Sequence, residues 1–427
     1  MKNIFNVLKI LCIVVIIIHT SITTVSIVLV VAFFNLLYEI KLLADRFAMT
    51  YKSDEFDQLI KAINDEIEQI TPKAKDYSKY ISKINSVLNN YDVNLEFISI
   101  NETSQRLIFE YKLGHIIKNG KKQYTKIADV RAIINELELA LNTQVELIKT
   151  SGKIGLAIRN PERKTLSFGE VVNNKHYKKF IKESELPFIL GVDQQDNPVY
   201  GDLIKAPHLL IAGETNSGKS NALQVLLTAL LLNKNPKELK LLLADFKLVE
   251  LSIFKNSEYL LDNIAYEIDD FEKQLIYLEN EMVKRNKLMF QTETKTIMEY
   301  NNKFPTSKLN YIVFVIEELS AVMLIEDKKQ KTMLENKLAK LASQCRSAGI
   351  HIIITTQKPV SEVLTGTIKA NIPSRLALKV TSNVDSQLIL DKGGAEKLLG
   401  NGDALLRDRR FQVAFLSGDE QRKYLYE

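Results

Sequence analysis

The chain has 427 residues, a formal net charge of +5, 46% hydrophobic and 26% charged residues. That length divides into two or three domains and the composition makes most of it globular, while the mild positive charge neither demands nor excludes an anionic partner. The two cysteines, Cys12 and Cys345, exclude a disulfide framework and a Cys-rich metal site and fit a reducing compartment, and five scattered histidines show no HExxH spacing.

Residues 1–42 read as a transmembrane helical hairpin. No Lys or Arg occurs from Ile10 to Ile40, with Lys2 and Lys9 before the run and Lys41 and Arg46 after it. Ile4–Ile18 and Ile22–Tyr38 would form helices of roughly 22 and 26 Å, against a hydrocarbon core of about 30 Å. A polar turn, His19-Thr-Ser-Ile-Thr-Thr24, separates them. Positive charge on both flanks puts both ends in the cytoplasm, so the expectation is a multi-pass cell-membrane protein with its bulk on the cytoplasmic side. Residues 43–90 read as a helical stalk, with Ile60, Ile63, Ile67 and Ile70 at helical spacing and Pro72 interrupting it. Residues 91–186 mix strands ("NLEFISI", "RLIFEYKL", "KIGLAIRN") with an amphipathic helix ("IADVRAIINELELALN") and carry no catalytic constellation; the expectation is a small α/β domain.

From 187 to 427 short apolar runs recur between helical stretches: "HLLIA", "LKLLLAD", "YIVFVI", "IHIIITT", "RLALKV", "QVAFL". Strands without polar alternation are buried on both faces, which predicts a mainly parallel sheet covered by helices.

The chemistry concentrates in this last segment. Gly213-Glu214-Thr215-Asn216-Ser217-Gly218-Lys219-Ser220 fits G-x-x-x-x-G-K-[ST], after a predicted strand and at the start of a predicted helix. That is the setting of a phosphate-binding loop, whose backbone N–H groups and helix N-terminus converge on an anion. Lys219 is expected on the β- and γ-phosphates of ATP and Ser220 on Mg²⁺. The strand "YIVFVI" ends in Glu317-Glu318; Glu317 is expected to hold Mg²⁺ through water and Glu318 to polarise the attacking water. Gln357, ending "IHIIITTQ", falls on the same edge of the sheet, where ligands of open α/β sheets bind, and is a candidate γ-phosphate sensor.

These residues resemble the FtsK/SpoIIIE DNA-translocating ATPases. "GDLIKAPHLLIAGETNSGKS" resembles the family's nucleotide loop and lead-in. "LLLADFKLVEL" resembles its strand ending in Asp-Pro-Lys, with Phe246 for the Pro. "YLENEMVKRNKLM" and "LASQCRSAGIHIIITTQKPVSEVLTGTIKANIPSRLALKVTSNVDSQLILDKGGAEKLLGNGDALL" match further segments. The resemblance implies a RecA-like P-loop NTPase motor, a ring-forming homo-oligomer (a hexamer) around double-stranded DNA, and ATP between subunits. Arg346, in "CRSAG", aligns with the family's arginine and would be donated in trans to a neighbour's γ-phosphate. Lys247, Lys369 and Arg375 are candidate backbone contacts to DNA, since a motor must pass over every sequence. Three departures stand out: Glu317 replaces the family's Asp, Asn216 stands where Gly is common, and no sequence-reading winged-helix module is expected after Glu427. The leading expectation is a membrane-anchored pump serving conjugative transfer of a plasmid or integrative element, with relaxase and mating-channel proteins as partners. The alternatives are a chromosome-segregation motor at the septum, a protein-secretion ATPase, and a membrane-bound nucleotide switch with little turnover.

Overall fold

The computed structural model describes residues 76–426 apart from 119–120, 151 and 163–164. The expected membrane hairpin and the stalk up to residue 75 therefore lie outside the described residues; from the stalk, only the helix Ser78–Asn90 is seen. Among the described residues no helix is long and apolar enough to cross a membrane.

A small antiparallel sheet is built from β1 (Leu95–Glu102), β2 (Arg106–Leu113), β5 (Val145–Thr150) and β6 (Lys153–Arg159) in the order β1-β2-β6-β5; β3 (His115–Lys118) and β4 (Lys121–Tyr124) form a separate hairpin. Residues at a period of two share one face of a strand, so Leu107, Phe109 and Tyr111 of β2 and Ile154, Leu156 and Ile158 of β6 are buried together. The amphipathic helix expected over 127–142 occurs as two pieces, Ile127–Ala132 and Ile134–Leu141, joined at Ile133 with φ −100° and ψ 7°. Val130, Ile133, Leu137 and Leu141, three or four apart, still form one buried stripe.

The larger sheet has nine strands: β7 (Pro187–Asp193), β8 (Pro198–Asp202), β9 (His208–Ala212), β10 (Leu239–Asp245), β11 (Tyr311–Glu317), β12 (Ile350–Thr356), β13 (Ser374–Leu378), β14 (Asp403–Leu406) and β15 (Arg409–Val413), in the order β10-β11-β12-β9-β13-β14-β15-β7-β8. The first five in that order run parallel. The last four are antiparallel to their neighbours, so the sheet is mixed where a mainly parallel one was expected. Strand direction is set by connection length: only Arg407 and Asp408 separate β14 from β15, and two residues can make only an antiparallel hairpin.

The parallel strands are buried on both faces, as their composition predicts. Leu209, Ile211, Leu241, Leu243, Val313, Val315 and Ile353 face one core. Leu210, Ala212, Leu242, Ile312, Phe314, Ile316, Ile352 and Ile354 face the other, against the helices Ile268–Gln291 and Lys328–Gln344. The helix Lys219–Leu232 lies within the first core and is buried almost all round. Phe168, Val171 and Tyr177, from the helices Phe168–Val172 and Lys175–Lys182, pack into that same core. These helices thus pack with the large sheet, although the sequence reading put them in the segment 91–186; β6 has already ended at Arg159, and composition changes only at 187. The small sheet is fastened to the large one by Glu146, which bonds Arg106 at 2.8 Å and Arg410 at 3.0 Å. Asp196 adds to this by accepting from Ser104 Oγ at 2.6 Å.

Candidate nucleotide-hydrolysis site

The parallel strands β10, β11, β12 and β9 end at Asp245, Glu317, Thr356 and Ala212, and pairing of Asp245 with Glu317 and of Thr356 with Ala212 brings these ends to one edge. The loop 213–218 leaves β9 there and runs into the helix beginning at Lys219. Its shape is fixed by backbone bonds: Gly213 N donates to the Thr356 carbonyl at 3.2 Å, Glu214 N to Lys379 at 2.9 Å and Gly402 N to Ser217 at 2.8 Å. Gly218 adopts φ +99°, and a Cβ there would lie 2.6 Å from Gly402 N. Gly402 itself sits at φ +86° against Gln412 and Val413. Asn216 has φ +64°. A left-handed position favours Gly and tolerates Asn above other side chains, which accounts for the departure at this position.

Lys219 and Glu317 are both buried and pair at 2.8 Å, with a further bond from Lys219 to Thr355 Oγ1 at 3.1 Å. Burial pushes the Glu317 carboxyl above the usual range, and the adjacent ammonium offsets this only partly. Its second oxygen, Oε2, is buried without a hydrogen-bond partner.

Glu318 lies in the left-handed region at φ +66°, a conformation costing a non-glycine residue about 1–3 kcal/mol unless the surroundings impose it. They do. Ser320 Oγ donates to its carboxylate at 2.6 Å, Lys247 Nζ at 3.0 Å, Thr356 Oγ1 at 3.0 Å and Gln357 N at 3.2 Å, while its own N–H donates to Thr355 Oγ1 at 3.2 Å. Burial opposes ionisation of Glu318, but the Ser320 hydroxyl and the Lys247 ammonium outweigh it and hold the carboxyl below the usual range. Gln357 spans the gap between the acid and the loop, since its Oε1 also accepts from Thr215 Oγ1 at 3.3 Å. Ser220 Oγ donates to Glu250, and Glu214 accepts from Thr381 at 3.0 Å.

Arg346 is elsewhere. It follows the helix Lys328–Gln344 and precedes β12, and its guanidinium meets the Ile204 carbonyl at 3.4 Å, ahead of β9. It therefore sits at the amino ends of the strands, a strand length of about 23 Å from the loop edge of its own chain.

The three DNA candidates also part company. The sequence reading set Lys247 toward DNA; its ammonium is instead committed to Glu318. Lys369 and Arg375 both pair with Asp391, and Arg375 also bonds the carbonyls of Lys369, Ile372 and Ile389. Two residues at the site escaped sequence reading. Asp245, fully buried, accepts from the N–H groups of Lys247 at 3.1 Å and Leu251 at 2.9 Å. Glu250 is the other. An acid ending an apolar strand could have flagged Asp245; nothing local marks Glu250.

The donor set suits a hard cation. Ser220 Oγ, the Glu317 carboxylate with its orphaned oxygen and nearby Glu250 are all oxygens, the preference of Mg²⁺. Among the described residues no cluster of three or more His, Cys, Asp or Glu could hold a metal alone. Mg²⁺ accompanying a nucleotide needs only one or two protein ligands beside phosphates and water.

Residues 170–361 match the FtsK/SpoIIIE family. The chain is 34% identical over 348 residues to the DNA translocase FtsK of Caldanaerobacter subterraneus subsp. tengcongensis, covering 79% of this chain and 47% of that protein. It is 36% identical over 317 residues to the DNA translocase SpoIIIE of Bacillus subtilis, covering 70% and 40%. The chain thus spans less than half the length of these relatives. Among solved structures, the pCW3 conjugation coupling protein TcpA, a monomer form with ATPγS, superposes with a TM-score of 0.55 at 24% identity, covering 81% of this chain and 99% of that one. The cytoplasmic domain of the Thermomonospora curvata type VII secretion ATPase EccC gives 0.50 at 18% identity, covering 62% and 35%. At these identities the two structures show a shared fold.

Proposed function

From a chain that carries an FtsK/SpoIIIE-family P-loop ATPase domain over residues 170–361, we propose a membrane-anchored, ATP-driven double-stranded DNA translocase. The observation that carries the reading is the meeting of the loop 213–220 with Glu317 and Glu318 at one sheet edge, each acid paired with a lysine, at 2.8 and 3.0 Å.

Bound ATP draws Lys219 from Glu317 to the β- and γ-phosphates, and the loop N–H groups hold the remaining phosphate oxygens. Ser220 and Glu317 would hold Mg²⁺, which would supply positive charge to offset that of the phosphates. Glu318, kept ionised by its donors, orients and deprotonates the attacking water. Gln357, touching both Thr215 and Glu318, registers whether the γ-phosphate is present. Arg346 acts on the site of a second copy, which makes a closed ring, a hexamer, the working form. Lys369 and Arg375, which outnumber Asp391 in charge, contact the DNA backbone.

We assign the motor to conjugative transfer, with relaxase and mating-channel proteins as partners. The chain shares the fold of a conjugation coupling protein through 99% of that protein, and septal segregation is the alternative reading.

The test is hydrolysis of Mg-ATP by the purified full-length chain with and without long linear duplex DNA. Stimulation that weakens steeply as salt rises, with little dependence on sequence, is expected. Turnover indifferent to duplex DNA would remove the translocase reading and favour a secretion ATPase. Loss of plasmid transfer on deleting the gene, with septal segregation intact, would support conjugation.

A further inference from the structure

The sequence DFKLVEL, residues 245–251, forms a tight turn between β10 and the 3₁₀ helix Ser252–Phe254. Its two ends are stapled to one point, since the buried Asp245 carboxylate accepts from Lys247 N at 3.1 Å and from Leu251 N at 2.9 Å. Phe246, where the family has proline, packs edge-on against Phe271 at 5.7 Å. Leu248 takes the left-handed φ of +63°, and Leu248 and Val249 at the tip are 62% and 68% exposed. The turn is anchored from the far side as well: the Glu250 carbonyl accepts from Gln224, whose Oε1 accepts from Gln421 at 2.6 Å.

From this braced turn two side chains reach back in different directions. Lys247 reaches the acid of β11, bonding Glu318 at 3.0 Å. Glu250 reaches the phosphate-loop helix and accepts a hydrogen bond from the Ser220 hydroxyl. We propose that Lys247 and Glu250 are positioning residues of the hydrolytic site, the first fixing Glu318 and the second directing Ser220 toward the cation. The inference rests on the ATPase reading given above.

The chemistry of each arm is distinct. A serine binds a cation through an oxygen lone pair, so its proton must point elsewhere. Glu317 is itself a candidate ligand of the cation, and Glu250 supplies the acceptor, leaving the lone pairs of Ser220 free and richer in charge. Glu318 needs a different service. Its backbone is in an unfavourable conformation, and among the described residues the Lys247 ammonium is the one cation bonded to its carboxylate. Removing that bond frees the carboxylate to turn away from the attacking water.

The two arms separate experimentally in the full-length chain, purified in detergent. Binding of a fluorescent ATP analogue is measured with and without Mg²⁺, and DNA-stimulated hydrolysis is followed against ATP and Mg²⁺. Glu250→Ala is expected to raise the Mg²⁺ concentration for half-maximal effect about 10- to 100-fold in both assays, leaving Mg²⁺-free analogue binding unchanged. Glu250→Gln, whose amide oxygen accepts the same proton, stays near wild type. Lys247→Met is expected to lower kcat about 10- to 100-fold, as misplacing a reacting group does, with KM and the Mg²⁺ requirement unchanged; Lys247→Arg restores most of the rate. An unchanged Mg²⁺ dependence in Glu250→Ala would overturn the Glu250 arm. A Lys247→Met effect on KM, or no recovery with arginine, would overturn the Lys247 arm. A wild-type chain that binds the analogue with Mg²⁺ yet never hydrolyses ATP would sink the ATPase reading and the Lys247 arm with it, while the binding assay would still decide Glu250. Unaltered Mg²⁺-free binding shows that each variant has folded.

Discussion

The two ends of the parallel strands differ in how they treat charge. At the carboxyl ends, buried acids meet lysines: Lys219 with Glu317 and Lys247 with Glu318, within a web of hydroxyl and backbone donors. At the amino ends the two buried histidines are neutral. Burial drives His208 down to about 4 and His351 to about 3, with Arg346 nearby adding to the effect. Each ring uses Nδ1, His208 accepting from Ile352 N and His351 meeting the Pro207 carbonyl, both at 3.1 Å, and leaves Nε2 without a partner. Arg346 stands beside them with one long bond to a carbonyl. One edge pairs its acids with its own lysines, and the other presents a cation its own chain hardly uses. In the proposed ring, subunits meeting head to tail would bring this cation to a neighbour's loop edge.

The contrast breaks most sharply at Lys219. Lys219→Ala should reduce ATP affinity by more than about 100-fold, roughly 3 kcal/mol, and leave Glu317 to take up a proton; titration with a fluorescent analogue measures the first effect. Arg346→Ala should leave that affinity intact and cut turnover by about a thousandfold or more, the range for an arginine donated in trans. Mixing it with the Lys219→Ala chain should restore some activity, because one protein keeps an intact loop and the other an intact arginine. No restoration would make the amino edge merely structural. Glu318→Gln should bind ATP normally and turn over about 100-fold more slowly, as loss of a general base predicts; normal turnover would move the base elsewhere.

The smallest effect concerns stability. Each buried histidine has a folded pKa below its unfolded value, so its neutral form contributes stability that is complete above pH 6.5 and is lost as pH falls toward the folded values near 4 and 3. Between pH 6.5 and 5 the unfolding free energy should fall by up to about 1.4 kcal/mol per pH unit for each ring. Denaturant melts of His351→Asn should show a shallower slope; an unchanged slope would place the titration elsewhere.

The comparison also explains what could be read beforehand. The buried parallel strands announce themselves through runs such as YIVFVI and IHIIITT, because a strand covered on both faces has no polar alternation to hide behind. The phosphate loop is legible because its shape depends on local backbone, with glycine where φ is positive. Glu317 and Glu318 are legible because they end an apolar strand. Lys247 and Glu250 were not, since their roles arise from a turn that folds them back onto residues 71 and 30 positions away. The direction of β14 and β15, and the packing of Phe168 and Tyr177 with the large sheet, likewise depend on where the chain returns in space.

The contact of Gly218 with Gly402 has a further implication for how this protein can change over generations. A side chain on Gly218 would run into the Gly402 backbone and one on Gly402 into Gln412 and Val413, and each glycine is held in a backbone shape that side chains resist. A substitution at Gly218 cannot be rescued by shrinking Gly402, which has nothing left to remove. Both positions should therefore stay glycine in a saturation-mutagenesis library selected for function, while Asn216, two residues from one of them, drifts among asparagine, glycine and aspartate.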